Sequence, residues 1–164
     1  MDIKKNIEYD HEKIRKYIHD LDAMGRSDTA LRKPLFEMLR KELLIVQKAE
    51  EETLYQELER RNEANSLVHT LEDESDTIKS LLKSLEKCEP NSEDWHSDFK
   101  KLKRKVFQHF DKEERKLLPK AQRALPAEEV AEEFDDEKRA LWKTSTLVEK
   151  VSAVEHFSRT VRAA

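Results

Sequence analysis

Two stretches, VQKAEEETLYQE (Val46–Glu57) and HFDKEERKLLPK (His109–Lys120), align without a gap and decide the reading of the chain. They share Glu50/Glu113, Glu51/Glu114 and Leu54/Leu117, with Tyr55 opposite Leu118. Each lies near the end of a segment whose apolar residues recur at helical spacing. In the second segment that stripe is Phe99, Leu102, Val106, Phe110 and Leu117; in the first it is Leu35, Leu39, Leu43, Val46 and Ala49. At about 100° per residue, Glu113 falls about 30° from its stripe centre, His109 about 70°, and Glu50 about 40° from its own. A histidine and two glutamates are therefore aimed at a core. Burying a carboxylate there costs several kcal/mol, at order of magnitude, unless it is paired or bound to a metal.

Outward from these segments the rest of the chain is helical too. A first helix, about Asp2 to Met24, carries Ile3, Ile7, Ile14, Ile18 and Leu21 on one face, with Asp10 and His11 flanking Ile14 and Gly25 closing it. The second runs from about Ala30 to Arg61, with Pro34 tolerated near its first turn. A third covers about Leu67 to Lys87 with a stripe of Leu71, Ile78, Leu82 and Leu85. Pro90 and Asn91 then turn the chain, and Ser92 caps a fourth helix reaching the Leu118–Pro119 step. Pro126 begins a fifth. Residues 144–164, with Leu147, Val151, Val154 and Val161 in phase, form a sixth that packs on the bundle or on a second subunit as a homodimer.

Four long helices with short connections predict an all-α, up-down-up-down four-helix bundle with one or two additional C-terminal helices. The bundle and its fifth helix take residues 1–143, and a helical extension takes 144–164. One glycine and four prolines in 164 residues leave no turn chemistry for hairpins. Charged residues, 41% of the chain, interleave with the apolar ones, as amphipathic faces require and disordered blocks do not.

A net charge of −4 with alternating signs argues against nucleic acid, and no apolar run suits a membrane span. The single cysteine, Cys88, excludes an internal disulfide and is read as structural, so the protein is expected to be soluble and cytoplasmic. No nucleophile–base pair points to a hydrolase. His19, His96 and His156 stand apart as solvated side chains, and Trp95 and Trp142 as packing at the bundle ends.

His109 and Glu113, one helical turn apart, can both reach one metal ion, with Glu50 bridging from the neighbouring helix. With DHEKIRKYI around His11, these segments resemble the hemerythrin-like (HHE cation-binding) family over about Ile3 to Trp142. That family's pattern is an Asp-His in the first helix, His-x-x-x-Glu-Glu in the second and fourth, and a histidine in the third. The resemblance implies two irons in the bundle centre, bridged by carboxylates, with His11 and His109 as terminal ligands and Glu50 and Glu113 as bridges. It also implies oxygen or nitric oxide binding, or iron handling, with a small diatomic molecule as ligand. Tyr55, about two turns beyond the centre, could hydrogen-bond a ligand carboxylate.

Two positions depart from the pattern. The second helix has Val46 four residues before Glu50; Gln47 and Glu51, one residue on, turn away from the stripe. The third has Glu74 or Ser75, and His69 points nearly opposite its stripe, which leaves His69, Gln47 and Glu74 as the substitutes to be weighed. Each iron would lose one imidazole, so a single ion, or none, follows from the same count. The alternative is a metal-free bundle with this fold, acting as an interaction or signalling module.

Overall fold

The computed structural model describes residues 2–24 and 29–163, with side chains for 2–24 and 30–145. Seven α-helices follow in order: α1 (Ile3–Ala23), α2 (Thr29–Glu50), α3 (Gln56–Arg60), α4 (Asn65–Lys87), α5 (Glu93–Lys112), α6 (Leu118–Ala124) and α7 (Ala127–Ala163). Two single π turns, π1 (Glu51–Tyr55) and π2 (Glu113–Leu117), join α2 to α3 and α5 to α6 without breaking the rod. No strand occurs among the described residues.

Local chemistry sets the helix starts. Asp2 accepts from the Lys4 amide at 3.1 Å, and Ser92 accepts from the Trp95 amide at 3.1 Å, each quenching an orphan donor of a first turn. The α3–α4 connection turns without glycine. Asn62 and Ala64 both take φ of 57°, which asparagine tolerates and which costs alanine about 1–2 kcal/mol.

The four long rods form an antiparallel ring, visible in the ion pairs across each seam. Lys13 meets Glu42 between α1 and α2; Lys79 reaches Glu51 at 3.1 Å and Arg40 reaches Glu86 at 2.9 Å between the second rod and α4. Ser84 bonds Asp98 at 2.6 Å between α4 and α5, and Lys103 meets Asp22 at 2.7 Å between α5 and α1. A second contact on each seam runs the opposite way in sequence: His11–Glu50 beside Lys13–Glu42, Arg40–Glu86 beside Glu51–Lys79, Glu74–His109 beside Ser84–Asp98, and Arg15–Glu114 beside Asp22–Lys103. Ile7, Ile14, Leu39, Leu43, Leu71, Ile78, Leu102, Val106 and Phe110 fill the interior without exposure to water. Trp95 caps one end, stacked on Phe99 at 5.0 Å with the Arg32 guanidinium 5.2 Å above it. Half-buried Cys88 packs against the core.

The fourth rod does not stop at Leu118–Pro119. The π turn has already shifted the hydrogen-bond ladder, with the Leu118 amide bonded to the Glu113 carbonyl. Pro119 then falls in the first turn of α6, where its missing N–H is no loss. At the C-terminus a single helix, α7, runs through residue 143, so no turn separates a fifth from a sixth helix.

The buried face of α7 is Val130, Ala131 and Phe134, laid against α1, α2 and π1. Asp135 accepts from Asn6 at 3.0 Å and Lys138 pairs with Asp10. Asp10 thus faces α7 rather than the bundle axis. The roles expected of Gly25, and of the side chains of Leu147, Val151, Val154, His156 and Val161, lie outside the described residues. So does the homodimer contact assigned to that last stretch.

Candidate metal centre

Each of the four rods brings polar side chains to one buried layer. α1 supplies His11, α2 supplies Gln47 and Glu50, α4 supplies Ser75, and α5 with π2 supplies His109 and Glu113; all are at most 1% exposed. His11 Nε2 lies 3.2 Å from Glu50 Oε1 and 3.3 Å from Glu113 Oε2. His109 Nε2 lies 3.6 Å from the same Glu113 oxygen. The four expected site residues, His11, Glu50, His109 and Glu113, therefore meet.

A second layer orients them. His11 Nδ1 lies 2.8 Å from Glu114 Oε1, and Arg15 holds that same oxygen at 2.9 Å. The His11 ring also stacks on Phe110, centroids 3.7 Å apart and planes 6° apart. His109 Nδ1 lies 3.0 Å from Glu74 Oε2, and Lys112 pairs with the other Glu74 oxygen. Both rings thus turn Nε2 inward, the arrangement seen where a carboxylate fixes the tautomer of a ligating histidine. The Tyr55 hydroxyl donates to Glu113. The two π turns start at Glu51 and Glu113, so the widened helix turns adjoin or include the two central glutamates. Such bulges occur often at functional sites.

The electrostatics follow from burial and crowding. Burial pushes the His11 ring toward its neutral form, but Glu113, Glu114 and Glu50 outweigh it and hold its pKa well above the usual value. His109 is likewise raised, burial being outweighed by Glu113, Glu74 and Glu50. Burial, then repulsion from Glu113, lifts Glu50 to about 7. Burial also acts on Glu113, but His109, His11 and Tyr55 bring its pKa below the ordinary range. Glu74 and Glu114 are partly buried yet lowered, by His109 with Lys112 and by His11 with Arg15. The burial of Glu50 and the crowding of Glu113 with the two histidines thus set their ionisation against one another.

This group of side chains does not satisfy itself. Glu50 Oε2, Glu113 Oε2, His109 Nε2 and Gln47 Oε1 are all buried without a hydrogen-bond partner among the described residues. Unmatched buried polar atoms are rare, and four in one layer ask for an occupant. Ligand atoms of His11, Glu50 and Glu113 lie within 4.8 Å of one another, close enough to share one cation. Two imidazole nitrogens with two carboxylate oxygens suit a divalent transition metal.

One expectation needs correction, one open choice is decided and one alternative falls. Gln47 does not turn away: it is fully buried and donates from Nε2 to Ser75 Oγ at 3.3 Å. The reason is that α2 has neighbours on three sides, α1, α4 and α7, so directions well off its apolar stripe are buried too. Glu51, by contrast, is held at the edge by Lys79. In α4 the inward residue is Ser75, while Glu74 stands beside it and serves His109. His69 is exposed, 3.2 Å from Glu72 and 3.8 Å from Glu59, and cannot reach the centre. The sequence reading missed Glu114, Arg15 and Lys112; the repeated Glu-Glu pair was the one signal for Glu114.

Residues 2–121 match the family model described as the hemerythrin HHE cation binding domain. Among curated proteins and among solved structures, nothing matches the chain.

Proposed function

The chain belongs to the hemerythrin HHE cation-binding family, and on that premise we propose that it binds a divalent transition metal, iron by family resemblance, through His11, Glu50, His109 and Glu113. The observation that carries this reading is the convergence of His11 Nε2 with Glu50 Oε1 and Glu113 Oε2, beside Glu50 Oε2 and His109 Nε2, which are buried without a hydrogen-bond partner among the described residues. A buried carboxylate kept for structure alone would have its oxygens satisfied by the fold.

The protein's own groups perform definable tasks. Glu114 and Glu74 hold the Nδ1 positions of the two rings and leave Nε2 for the ion. Tyr55 fixes one Glu113 oxygen and leaves the other facing the histidines. Val46, Leu54 and Phe110, all at most 1% exposed, keep bulk water from the layer. A metal held by His11, Glu50, His109 and Glu113 would supply a Lewis-acid centre able to bind a small diatomic molecule such as oxygen or nitric oxide. Ligation needs His11 and His109 as neutral imidazoles, and the neighbouring carboxylates raise both pKa values, so metal binding should strengthen as pH rises.

The test is metal analysis of protein purified without chelator, followed by anaerobic iron(II) titration of the metal-free form. Stoichiometric binding that Glu113→Ala removes supports the reading. No bound metal, with a melting temperature unmoved by added iron, defeats it in favour of a metal-free interaction module.

A further inference from the structure

We propose that Gln47 and Ser75 limit this centre to one divalent ion, acting as an uncharged plug on its α2–α4 side; the inference rests on the metal-binding reading above. The argument begins with charge. When the imidazoles are neutral ligands, Glu50 and Glu113 supply two negative charges, which one divalent cation cancels. A second would need an anion from outside the fold, such as hydroxide, and further ligands to hold it, in a layer that is at most 1% exposed and where an unpaired charge is strongly unfavourable.

The side chains around the α2–α4 side offer a second cation no charged or imidazole ligand. Val46 is apolar, Ser75 has only a hydroxyl, and Gln47 only an amide whose N–H is given to Ser75 Oγ at 3.3 Å. Two neighbouring carboxylates, Glu74 and Glu51, are committed elsewhere. Glu74 bonds His109 Nδ1 at 3.0 Å and Lys112, and Glu51 bonds Lys79 through both oxygens, at 3.1 and 3.3 Å. Gln47 has the shape of a glutamate without its charge, and its Oε1 has no partner among the described residues. The donor set is therefore uneven: charged or imidazole ligands come from His11, Glu50, His109 and Glu113, whereas Gln47 and Ser75, where α2 faces α4, are neutral.

The experiment counts ions per chain with cobalt(II), whose absorption reports ligand number, and with iron(II) under anaerobic conditions. The wild-type chain is expected to bind one ion, and Gln47→Glu/Ser75→His two. Gln47→Glu alone keeps the side-chain volume and guards against misfolding in the double variant. It adds the missing charge and should show a second, weaker binding event. Gln47→Leu, which preserves a neutral plug, should still bind one.

Two ions in the wild-type chain would overturn the inference and leave metal binding intact. A count of one in both folded glutamate-containing variants would likewise refute the role given to Gln47 and Ser75. No ion in the wild-type chain would overturn the metal-binding reading and this inference with it.

Discussion

The metal-free centre should make the bundle less stable as pH rises through neutrality, contrary to the usual behaviour of carboxylate-rich proteins. The perturbation is the ionisation of Glu50. Its carboxyl is 1% exposed and its pKa is pushed up to about 7, first by burial and then by Glu113. A carboxyl with a higher pKa folded than unfolded binds more protons in the folded state. Low pH therefore favours folding, and the stabilisation drains away as pH climbs from the unfolded value through about 7.

A displacement from 4.5 to about 7 corresponds to about 3 kcal/mol, at roughly 1.4 kcal/mol per pKa unit. His11, whose pKa is also raised, contributes stability that is full below 6.5 and lost at higher pH, so it acts in the same direction. For a chain of this length about 1 kcal/mol moves the melting temperature by about 2–4 °C. The expected fall from Glu50 is then roughly 6–12 °C for chelator-treated protein between pH 5 and pH 8. Thermal melts followed by circular dichroism at half-unit pH steps would measure it. Glu50→Gln mimics the protonated carboxyl and should remove most of the slope, leaving the His11 part. A melting temperature that is level or rises over this range, or a Glu50→Gln variant with the full wild-type slope, would refute the reasoning.

Three further outcomes are expected. Tyr55→Phe frees the Glu113 oxygen it holds and should weaken metal binding by about 10–100-fold in a competition titration; unchanged affinity would mean the hydroxyl does not orient the carboxylate. His69→Ala removes an exposed side chain, so bound metal should be unchanged and stability should stay within about 0.5 kcal/mol by denaturant melts; loss of metal would return His69 to the ligand set. Phe134→Ala empties the main anchor of α7, a ring fully buried in the core, and should cost about 3–5 kcal/mol in urea unfolding; a loss below about 1 kcal/mol would mean that α7 is not part of the cooperative unit.

The rods themselves were legible in the chain. Isoleucines at 3, 7, 14 and 18, or Phe99, Leu102, Val106 and Phe110, specify which face of each helix must leave water, because helical period and hydrophobicity are properties of the sequence alone. The same phase argument placed Glu50, His109 and Glu113 inside, since a polar residue on an apolar stripe is conspicuous however the rods pack. Gly25 and Pro90 marked two of the three connections, the breaks between stripes implied four long rods, and the family model matches residues 2–121.

Other features depend on what surrounds a side chain, and only the tertiary structure decided them. Gln47 lies off its stripe, but α1, α4 and α7 enclose α2 on three sides and bury it. Ser75 faces inward in phase with Leu71 and Ile78, but that its neighbour Glu74 serves His109 Nδ1 and Lys112 depends on how α5 packs beside it. The π turns at Glu51–Tyr55 and Glu113–Leu117 widen the helices beside the buried charges. A periodicity argument that assumes 3.6 residues per turn throughout has no means of placing them. One chain's helical phase says which residues may enter a core. The neighbours on every side determine which polar atoms are satisfied there, and the unsatisfied ones carry the reading of this centre.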